Sequence, residues 1–251
     1  AGMVAKYWLE SIARIPTDVE IASEYRYRDP VPQDDTLVIT ISQSGETADT
    51  LAALQHAKSN GMTDTLSICN VPESALIRNS KLRFLTRAGP EIGVASTKAF
   101  LAQITACYLL GLYLAQLRGN KWPDEVADYL TQLGRMPAKI QKLLDEQQEA
   151  VEDLGAKLAD HASFLFLGRH VGFPVALEGA LKLKELAYVH AEGFAAGELK
   201  HGPIALIEEG LPVFVIVPTP RRPVLHDKVI SNIQEIRARG ACTIVIAEEG
   251  D

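Results

Sequence analysis

Residues 36–70 read TLVITISQSGETADTLAALQHAKSNGMTDTLSICN and contain a strand, a helix and a second strand in one continuous pattern. The apolar runs at 36–42 and 64–70 have the length of buried strands, and the segment between them has helical period. The same alternation continues through apolar runs at 81–88, 163–169, 212–218 and 242–248. Strands that alternate with helices are typical of a parallel sheet covered by crossover helices. The sequence therefore predicts an α/β fold.

The second half of the chain repeats the first half. An offset of 174 residues places Leu37 on Leu211, and the offset grows to 179 where Gly61 matches Gly240. Two units of common ancestry explain such a repeat. We therefore predict two tandem, doubly wound parallel-sheet units.

The repeat and a change of pattern set the predicted domain bounds. Residues 120–161 are helical in pattern and rich in charge, as expected for a connector between the units. The prediction is a first unit at 1–118, a helical connector at 119–160 and a second unit at 161–251. The repeat also predicts truncation at both ends, because the first unit lacks a first strand and the second unit lacks a last strand and helix.

The composition excludes several classes of protein. Apolar residues make up 47% and charged residues 23% of the chain, which excludes a disordered or collagen-like protein. The formal net charge of −7 argues against a nucleic-acid or membrane-surface partner. Cys69, Cys107 and Cys242 form no redox or metal motif, so core positions and a reducing cytoplasm are predicted. The uncharged run at 99–117 is interpreted as a helix between a sheet and a partner subunit, not as a membrane span.

A serine-rich loop follows the first strand and opens a helix. It carries Ser42, Gln43, Ser44 and Thr47 at the carboxyl edge of the predicted sheet, where free N–H groups and the helix dipole favour an anion such as phosphate. The alternative is an ordinary turn in which Thr47 caps the helix. The matching loop of the second unit, at 218–223, reads PTPRRP, so the fold itself does not require the serines. The loop is neither a Walker loop nor a dinucleotide fingerprint.

Another polar loop, GVASTK at 93–98, starts a long helix after a further strand. Ser96 fits the N-cap of this helix, and the pattern favours that interpretation. The functional alternative is a second polar edge to the cleft that the serine-rich loop borders.

Two further segments contain side chains suited to acid–base chemistry. Glu178, Lys182 and Glu185 share one face of a helix, either as a solvated salt-bridged face or as a pair that faces a cleft and moves a proton. His201 lies in a turn bounded by glycine and proline and is either a surface residue or a catalyst. The histidines and cysteines lack metal-ligand spacing, so no metal is predicted.

Four segments carry a resemblance to a known family: ISQSGETADT, GVASTKAF, ALEGALKLKE and AEGFAAGELKHGP, in this order. Together they closely resemble the isomerase part of the glutamine:fructose-6-phosphate aminotransferases, also called glucosamine-6-phosphate synthases. The resemblance covers essentially the whole chain and implies two tandem sugar-isomerase (SIS) domains of the flavodoxin-like type.

The resemblance also implies roles for individual residues. Glu185 would carry a proton between C1 and C2 of the sugar, Lys182 would assist it, and His201 would open the sugar ring in the site of a neighbouring subunit. The residues that would hold fructose 6-phosphate or glucosamine 6-phosphate are Ser42, Gln43, Ser44 and Thr47 at the phosphate, with Val94 and Ser96 at the sugar. The chemistry needs a phosphate anchor, a ring-opening histidine and one carboxylate, so no cofactor is predicted.

The implied partners are a sugar phosphate, a second copy of the chain and a glutaminase domain that delivers ammonia. Two other functions remain open at this point. A stand-alone SIS-domain deaminase or isomerase would use similar loops, and a binding-only SIS regulator would keep the serine loop without needing Lys182, Glu185 or His201.

Overall fold

A computed structural model describes residues 1–251 and divides them into two compact units, Ala1–Tyr129 and Leu130–Asp251. The division falls inside the segment that the sequence predicts to be a connector. Both units are built on parallel sheets, which confirms the predicted α/β class.

The first unit contains a three-stranded parallel sheet in the order β1-β2-β3. Ser42 at the end of β1 pairs with Cys69 at the end of β2, and Cys69 pairs with Leu85 at the end of β3. The three following loops therefore leave the sheet at one edge. The strands are β1 (Leu37–Ser42), β2 (Asp64–Cys69) and β3 (Leu82–Leu85), and the helices are α1 (Gly2–Ser11), α2 (Ala22–Tyr25), α3 (Ala48–Ser59), α4 (Ala75–Asn79) and α5 (Lys98–Leu117).

The two faces of this sheet are packed differently. Ile39, Ile41 and Ile68 pack on one face with residues of α1 and α5. On the other face the buried Thr40 and Ser67 hydroxyls lie 2.6 Å apart and bond to one another. Successive side chains of a strand point to opposite faces of the sheet, and buried side chains occur on both faces here. Both faces are therefore covered, as a doubly wound sheet requires.

The predicted connector contains two long helices, α6 (Pro123–Gly134) and α7 (Met136–Leu158). They meet at Arg135, between the end of α6 and the start of α7. Both helices lie within the segment 119–160 that the sequence predicts to be a helical connector.

The second unit contains a four-stranded parallel sheet in the order β5-β4-β6-β7. Phe164 and Phe166 pack with α8 on one face, while Leu165 and Leu167 pack with α9 on the other. The strands are β4 (Ser163–Gly168), β5 (His190–Ala195), β6 (Pro212–Ile216) and β7 (Cys242–Ile246), with helices α8 (Gly172–Ala187) and α9 (Pro223–Arg237) and 3₁₀ turns at Leu199–His201 and Pro203–Leu206.

The sequence pattern does not predict strand β5, because its sequence HAEGFA has no apolar run. It lies at the edge of the sheet and pairs with β4 along its whole length. The repeat itself is reproduced, since α1, β1, α3 and β2 correspond in order to α8, β6, α9 and β7.

Helix α5 is long and apolar enough to cross a membrane by length and composition, a test that core helices of soluble proteins also pass. Its buried residues Ala106 and Cys107 belong to the core of the first unit, while Tyr113 and Leu117 are exposed. Contact with a partner subunit stays a prediction.

The cysteines do not all lie in the core. Cys69 and Cys107 are buried and free, and burial raises the pKa of the Cys107 thiol to about 11, so it stays protonated at neutral pH. Cys242 is exposed, and its predicted core position is wrong, because it begins the edge strand β7.

Candidate functional site

The serine-rich loop leaves the carboxyl end of β1 in a tight turn. The backbone N–H of Gly45 donates to Ser42 Oγ at 3.0 Å, and that of Glu46 donates to Ser44 Oγ at 3.2 Å. Both serines thus accept a backbone hydrogen bond, and each hydroxyl still has its own proton to donate. Ser42 is buried, Gln43 and Ser44 are half-buried, and Thr47 is exposed.

Thr47 lies at the N-cap position of α3, as the alternative interpretation requires, but its side chain makes no capping hydrogen bond. Its hydroxyl is therefore free to meet a ligand at the start of a twelve-residue helix. The position fits both interpretations, and the missing cap bond removes the structural reason for a hydroxyl there.

Gly45 lets this loop approach the loop after β2. Its φ is +68°, and an added Cβ would lie 2.6 Å from Ser74 Cβ and 2.8 Å from Cys69 Sγ. The two loops are further joined because Leu76 N donates to the Gly45 carbonyl oxygen at 3.0 Å. Only glycine satisfies the backbone angle and the close approach together.

Gly45→Ala should therefore destabilise the first unit by about 2–4 kcal/mol, because it adds a steric clash to left-handed backbone strain. Gly61→Ala is the matched control, since Gly61 has a φ of +91° but an added Cβ there meets nothing within 4 Å. Its cost should be about 1–2 kcal/mol, from backbone strain alone. Thermal unfolding of both variants checks this difference, and equal losses would contradict the close approach.

The loop after β3 is held at the same edge by Asn70, which the sequence analysis did not single out. Its Nδ2 donates to the Gly89 carbonyl oxygen at 2.7 Å, and its Oδ1 accepts from the Ala88 N–H at 2.8 Å. This loop leads to Val94 and Ser96, so both predicted sugar contacts lie in a segment tied to the end of β2. Val94 is 92% exposed and Ser96 is half-buried.

Ser96 does not cap α5, so that prediction is wrong. The N-cap position belongs to Thr97, and the Glu91 carboxylate accepts from the Ala99 N–H at 2.8 Å and from the Thr97 hydroxyl at 3.1 Å. These hydrogen bonds, above all that from Ala99, lower the pKa of Glu91. Ser96 is thereby left without a capping role.

In the second unit, Lys182 lies between two carboxylates on one face of α8. Its Nζ is 2.5 Å from Glu185 Oε2 and 3.5 Å from Glu178 Oε1. Burial alone would lower the pKa of Lys182, but bonds to the two carboxylates outweigh it and raise that pKa. The ammonium therefore stays charged across the neutral range.

This face is not the solvated one that the alternative interpretation describes. The side chains of Lys182 and Glu185 are 23% and 27% exposed, whereas those of the surface pair Lys142–Glu146 are 70% and 56% exposed. Burial of a charged side chain costs free energy, so a helix face that serves only solubility would keep its charges exposed.

Glycines bring α8 close to the sheet. A Cβ added at Gly193 of β5 would lie 2.9 Å from Leu177 Cα, and one added at Gly179 would lie 2.9 Å from the Phe166 ring. The helix backbone thus rests directly on β4 and β5. This contact fixes the distance between the sheet and α8, the helix that carries Lys182 and Glu185.

His201 ends the 3₁₀ turn Leu199–His201. Its side chain is 72% exposed, and its Nδ1 lies 3.4 Å from Glu198 Oε2. The following Gly202 has a φ of +136°, which turns the chain sharply after the histidine. The structure thus places His201 at an exposed bend of the second unit.

The predicted site residues therefore form three groups. The serine-rich loop and the Val94–Ser96 segment lie at one sheet edge of the first unit, Lys182 and Glu185 form an ion pair in the second unit, and His201 lies on an exposed turn of the second unit. No cluster of three or more His, Cys, Asp or Glu side chains is arranged to hold a metal ion.

Comparison with known proteins gives concordant matches. Residues 1–113 and 157–251 match the SIS domain family. The whole chain is 66% identical to the glutamine–fructose-6-phosphate aminotransferase (isomerizing) of Corynebacterium glutamicum and 62% identical to that of Streptomyces coelicolor. It spans 40% and 41% of the length of these two relatives.

Solved structures show the same fold. The C-terminal domain of the glucosamine-fructose-6-phosphate aminotransferase of Francisella tularensis matches 99% of this chain, with a TM-score of 0.94 and 44% identity, and the chain covers 69% of it. A glucosamine-6-phosphate deaminase of Thermotoga maritima matches with a TM-score of 0.80 at 24% identity, which shows a shared fold alone.

Proposed function

This chain belongs to the SIS domain family, and from that premise we propose that it is the isomerase part of a glutamine:fructose-6-phosphate aminotransferase. The proposed reaction converts fructose 6-phosphate and glutamine-derived ammonia to glucosamine 6-phosphate. The observation that carries the catalytic part of the proposal is the half-buried Lys182–Glu185 ion pair, with its 2.5 Å separation. The identity of 66% with a relative of that name supports the choice of substrate.

The serine-rich loop is proposed to hold the phosphate. Ser42, Ser44 and Thr47 offer hydroxyl donors, Gln43 offers an amide, and the N-terminus of α3 adds its dipole. Val94 and Ser96 would contact the sugar from the loop after β3. A phosphate held at this edge fixes one end of the substrate, which reduces the entropy cost of the following steps.

Glu185 is proposed as the group that moves the proton. Aldose–ketose conversion transfers a proton between C1 and C2, and one carboxylate can take it from one carbon and return it to the other. Lys182, whose ammonium lies beside this carboxylate, would stabilise negative charge that develops on the sugar oxygen. This division of roles needs no cofactor.

His201 is proposed to open the sugar ring by proton transfer, acting in the site of a second copy of the chain. Its exposure of 72% suits a residue that reaches a neighbouring molecule. A homodimer is therefore part of the proposal. The parent protein is further proposed to be cytoplasmic and to carry a glutaminase domain that supplies ammonia.

The two rival functions have less support. A binding-only regulator has no use for a half-buried ion pair on α8, and no observation favours a stand-alone deaminase or isomerase over the aminotransferase. The start of the parent reading frame distinguishes the last two, because a glutaminase domain there would contradict the stand-alone enzyme.

Ser44→Ala should weaken binding of glucosamine 6-phosphate by about ten- to a hundredfold, since a hydrogen bond to a charged group is lost. The hydrogen bond from the Glu46 N–H to Ser44 Oγ is exposed, so the melting temperature should change little when it is lost. Titration calorimetry measures the affinity, and Ser59→Ala, on the exposed surface of α3, serves as the control. Equal affinity of the unmutated protein for glucosamine and its 6-phosphate would contradict a phosphate site.

A further inference from the structure

A chain of polar contacts in the second unit ends on the turn that carries His201. Arg169, which follows β4, donates from Nε to Asn232 Oδ1 at 3.0 Å. Asn232 Nδ2 in turn donates to Glu235 Oε2 at 3.4 Å, and Lys200 Nζ lies 2.7 Å from Glu235 Oε1. Lys200 is the residue immediately before His201. Four side chains thus connect the end of β4, through α9, to the turn.

The central members of this chain are shielded from solvent. Asn232 is 3% exposed, and the Glu235 side chain is 26% exposed. A buried amide and a half-buried carboxylate are retained at low cost only when they are hydrogen-bonded, as they are here. The bond from Lys200 is the main reason that the pKa of Glu235 is lowered. The carboxylate is therefore charged at neutral pH and holds the ammonium of the turn.

Arg169 also contacts the beginning of the same segment. A Cβ added at Gly197 would lie 3.0 Å from Arg169 Nη1 and 3.2 Å from its Cζ, so the guanidinium lies directly against the Gly197 backbone. The N–H of Ala196 donates to the Gly168 carbonyl oxygen at 2.9 Å. The segment from Ala196 to Lys200 is thus held at both of its ends.

The His201 side chain itself has little to fix it, because its ion-pair contact is with the exposed Glu198 at 3.4 Å. We propose that Arg169, Asn232, Glu235 and Lys200 are positioning residues that fix the 3₁₀ turn and thereby aim His201 for ring opening. This inference rests on the role proposed for His201. None of the four needs to touch the substrate.

The test uses Glu235→Gln in the full-length aminotransferase, with two substrates. Fructose 6-phosphate exists mainly as a closed ring, whereas its 5-deoxy analogue lacks the hydroxyl that closes the furanose. A mispositioned His201 should lower kcat/KM for fructose 6-phosphate by about tenfold and leave that for the open-chain analogue within about twofold. Glu235→Asp, which keeps the carboxylate, should recover part of the loss.

Asp227→Asn is the matched control, because Asp227 is the other acid on α9 and its side chain is 80% exposed. Asp227→Asn should leave kcat/KM for both substrates unchanged. Lys200→Met, at a side chain that is 59% exposed, keeps the test valid if Glu235→Gln folds poorly, and it should show the same selective loss.

The positioning role would be overturned if Lys200→Met and folded Glu235→Gln lowered kcat/KM equally for both substrates, or for neither. His201→Asn in the same assay separates the two levels of the proposal. If His201→Asn lowers kcat/KM equally for both substrates, the ring-opening role itself is wrong. If His201→Asn is selective and the Glu235 and Lys200 variants are not, only the positioning role fails.

Discussion

Glu185→Gln should lower isomerisation by about 10²–10⁴ while sugar-phosphate affinity stays nearly constant. Glutamine keeps the length and shape of the side chain and can still accept a hydrogen bond from Lys182, which lies 2.5 Å from Glu185 in the structure. It has no carboxylate that could take a proton from carbon. The loss should therefore appear in kcat and not in binding, measured by isomerisation kinetics and by calorimetry.

Glu178→Gln is the matched control for this prediction. Glu178 lies on the same face of α8, pairs with the same lysine at 3.5 Å and has a similarly shielded side chain, which is 25% exposed. If the face acts only as a salt-bridged surface, the two variants should behave alike, each with a small effect. Near-normal exchange of the substrate's C1 or C2 proton with solvent deuterium in Glu185→Gln would show that another group is the base.

The parts of the fold that follow from local pattern could be predicted from the sequence. Strand β1 and the helices of the connector have strong periodicity, and the internal repeat links β1 to β6 without reference to any structure. Strand β5 could not be predicted in this way, because its sequence HAEGFA has no apolar run and contains glycine. It becomes a strand because β4 supplies a parallel partner and because Gly193 lets α8 rest on it.

The N-cap of α5 and the polar contacts between residues far apart in the chain could not be predicted from the sequence either. Ser96 has the residue type and nearly the position of an N-cap, but Glu91, eight residues before Ala99, reaches the helix N-terminus and takes that role. Likewise, Arg169 and Asn232 are 63 residues apart, and no spacing rule relates them. By contrast, the contacts of Lys182 with Glu178 and Glu185 were predictable, because helical geometry fixes neighbours at i+3 and i+4.

His201→Asn should lower turnover of fructose 6-phosphate by about 10² or more, because ring opening would lose its proposed proton-transfer group. Asparagine keeps a polar side chain of similar reach, and the His201 side chain is 72% exposed, so folding should be unaffected. The loss should be largely restored with the 5-deoxy analogue, which enters already open. Kinetics on both substrates in the full-length protein measure this difference.

Glu185→Gln and His201→Asn should differ in their response to the open-chain analogue, which distinguishes ring opening from the proton shift. Glu185→Gln should gain nothing from that analogue, because the proton must still move between C1 and C2 after the ring has opened.

His190→Asn is the control for His201, since His190 is also exposed in the second unit and also lies near a carboxylate, 3.8 Å from Glu192. His190→Asn should leave turnover of both substrates unchanged. If His201→Asn instead lost activity equally on the ring form and the open form, His201 would act after ring opening, and the division of labour between His201 and Glu185 would be wrong.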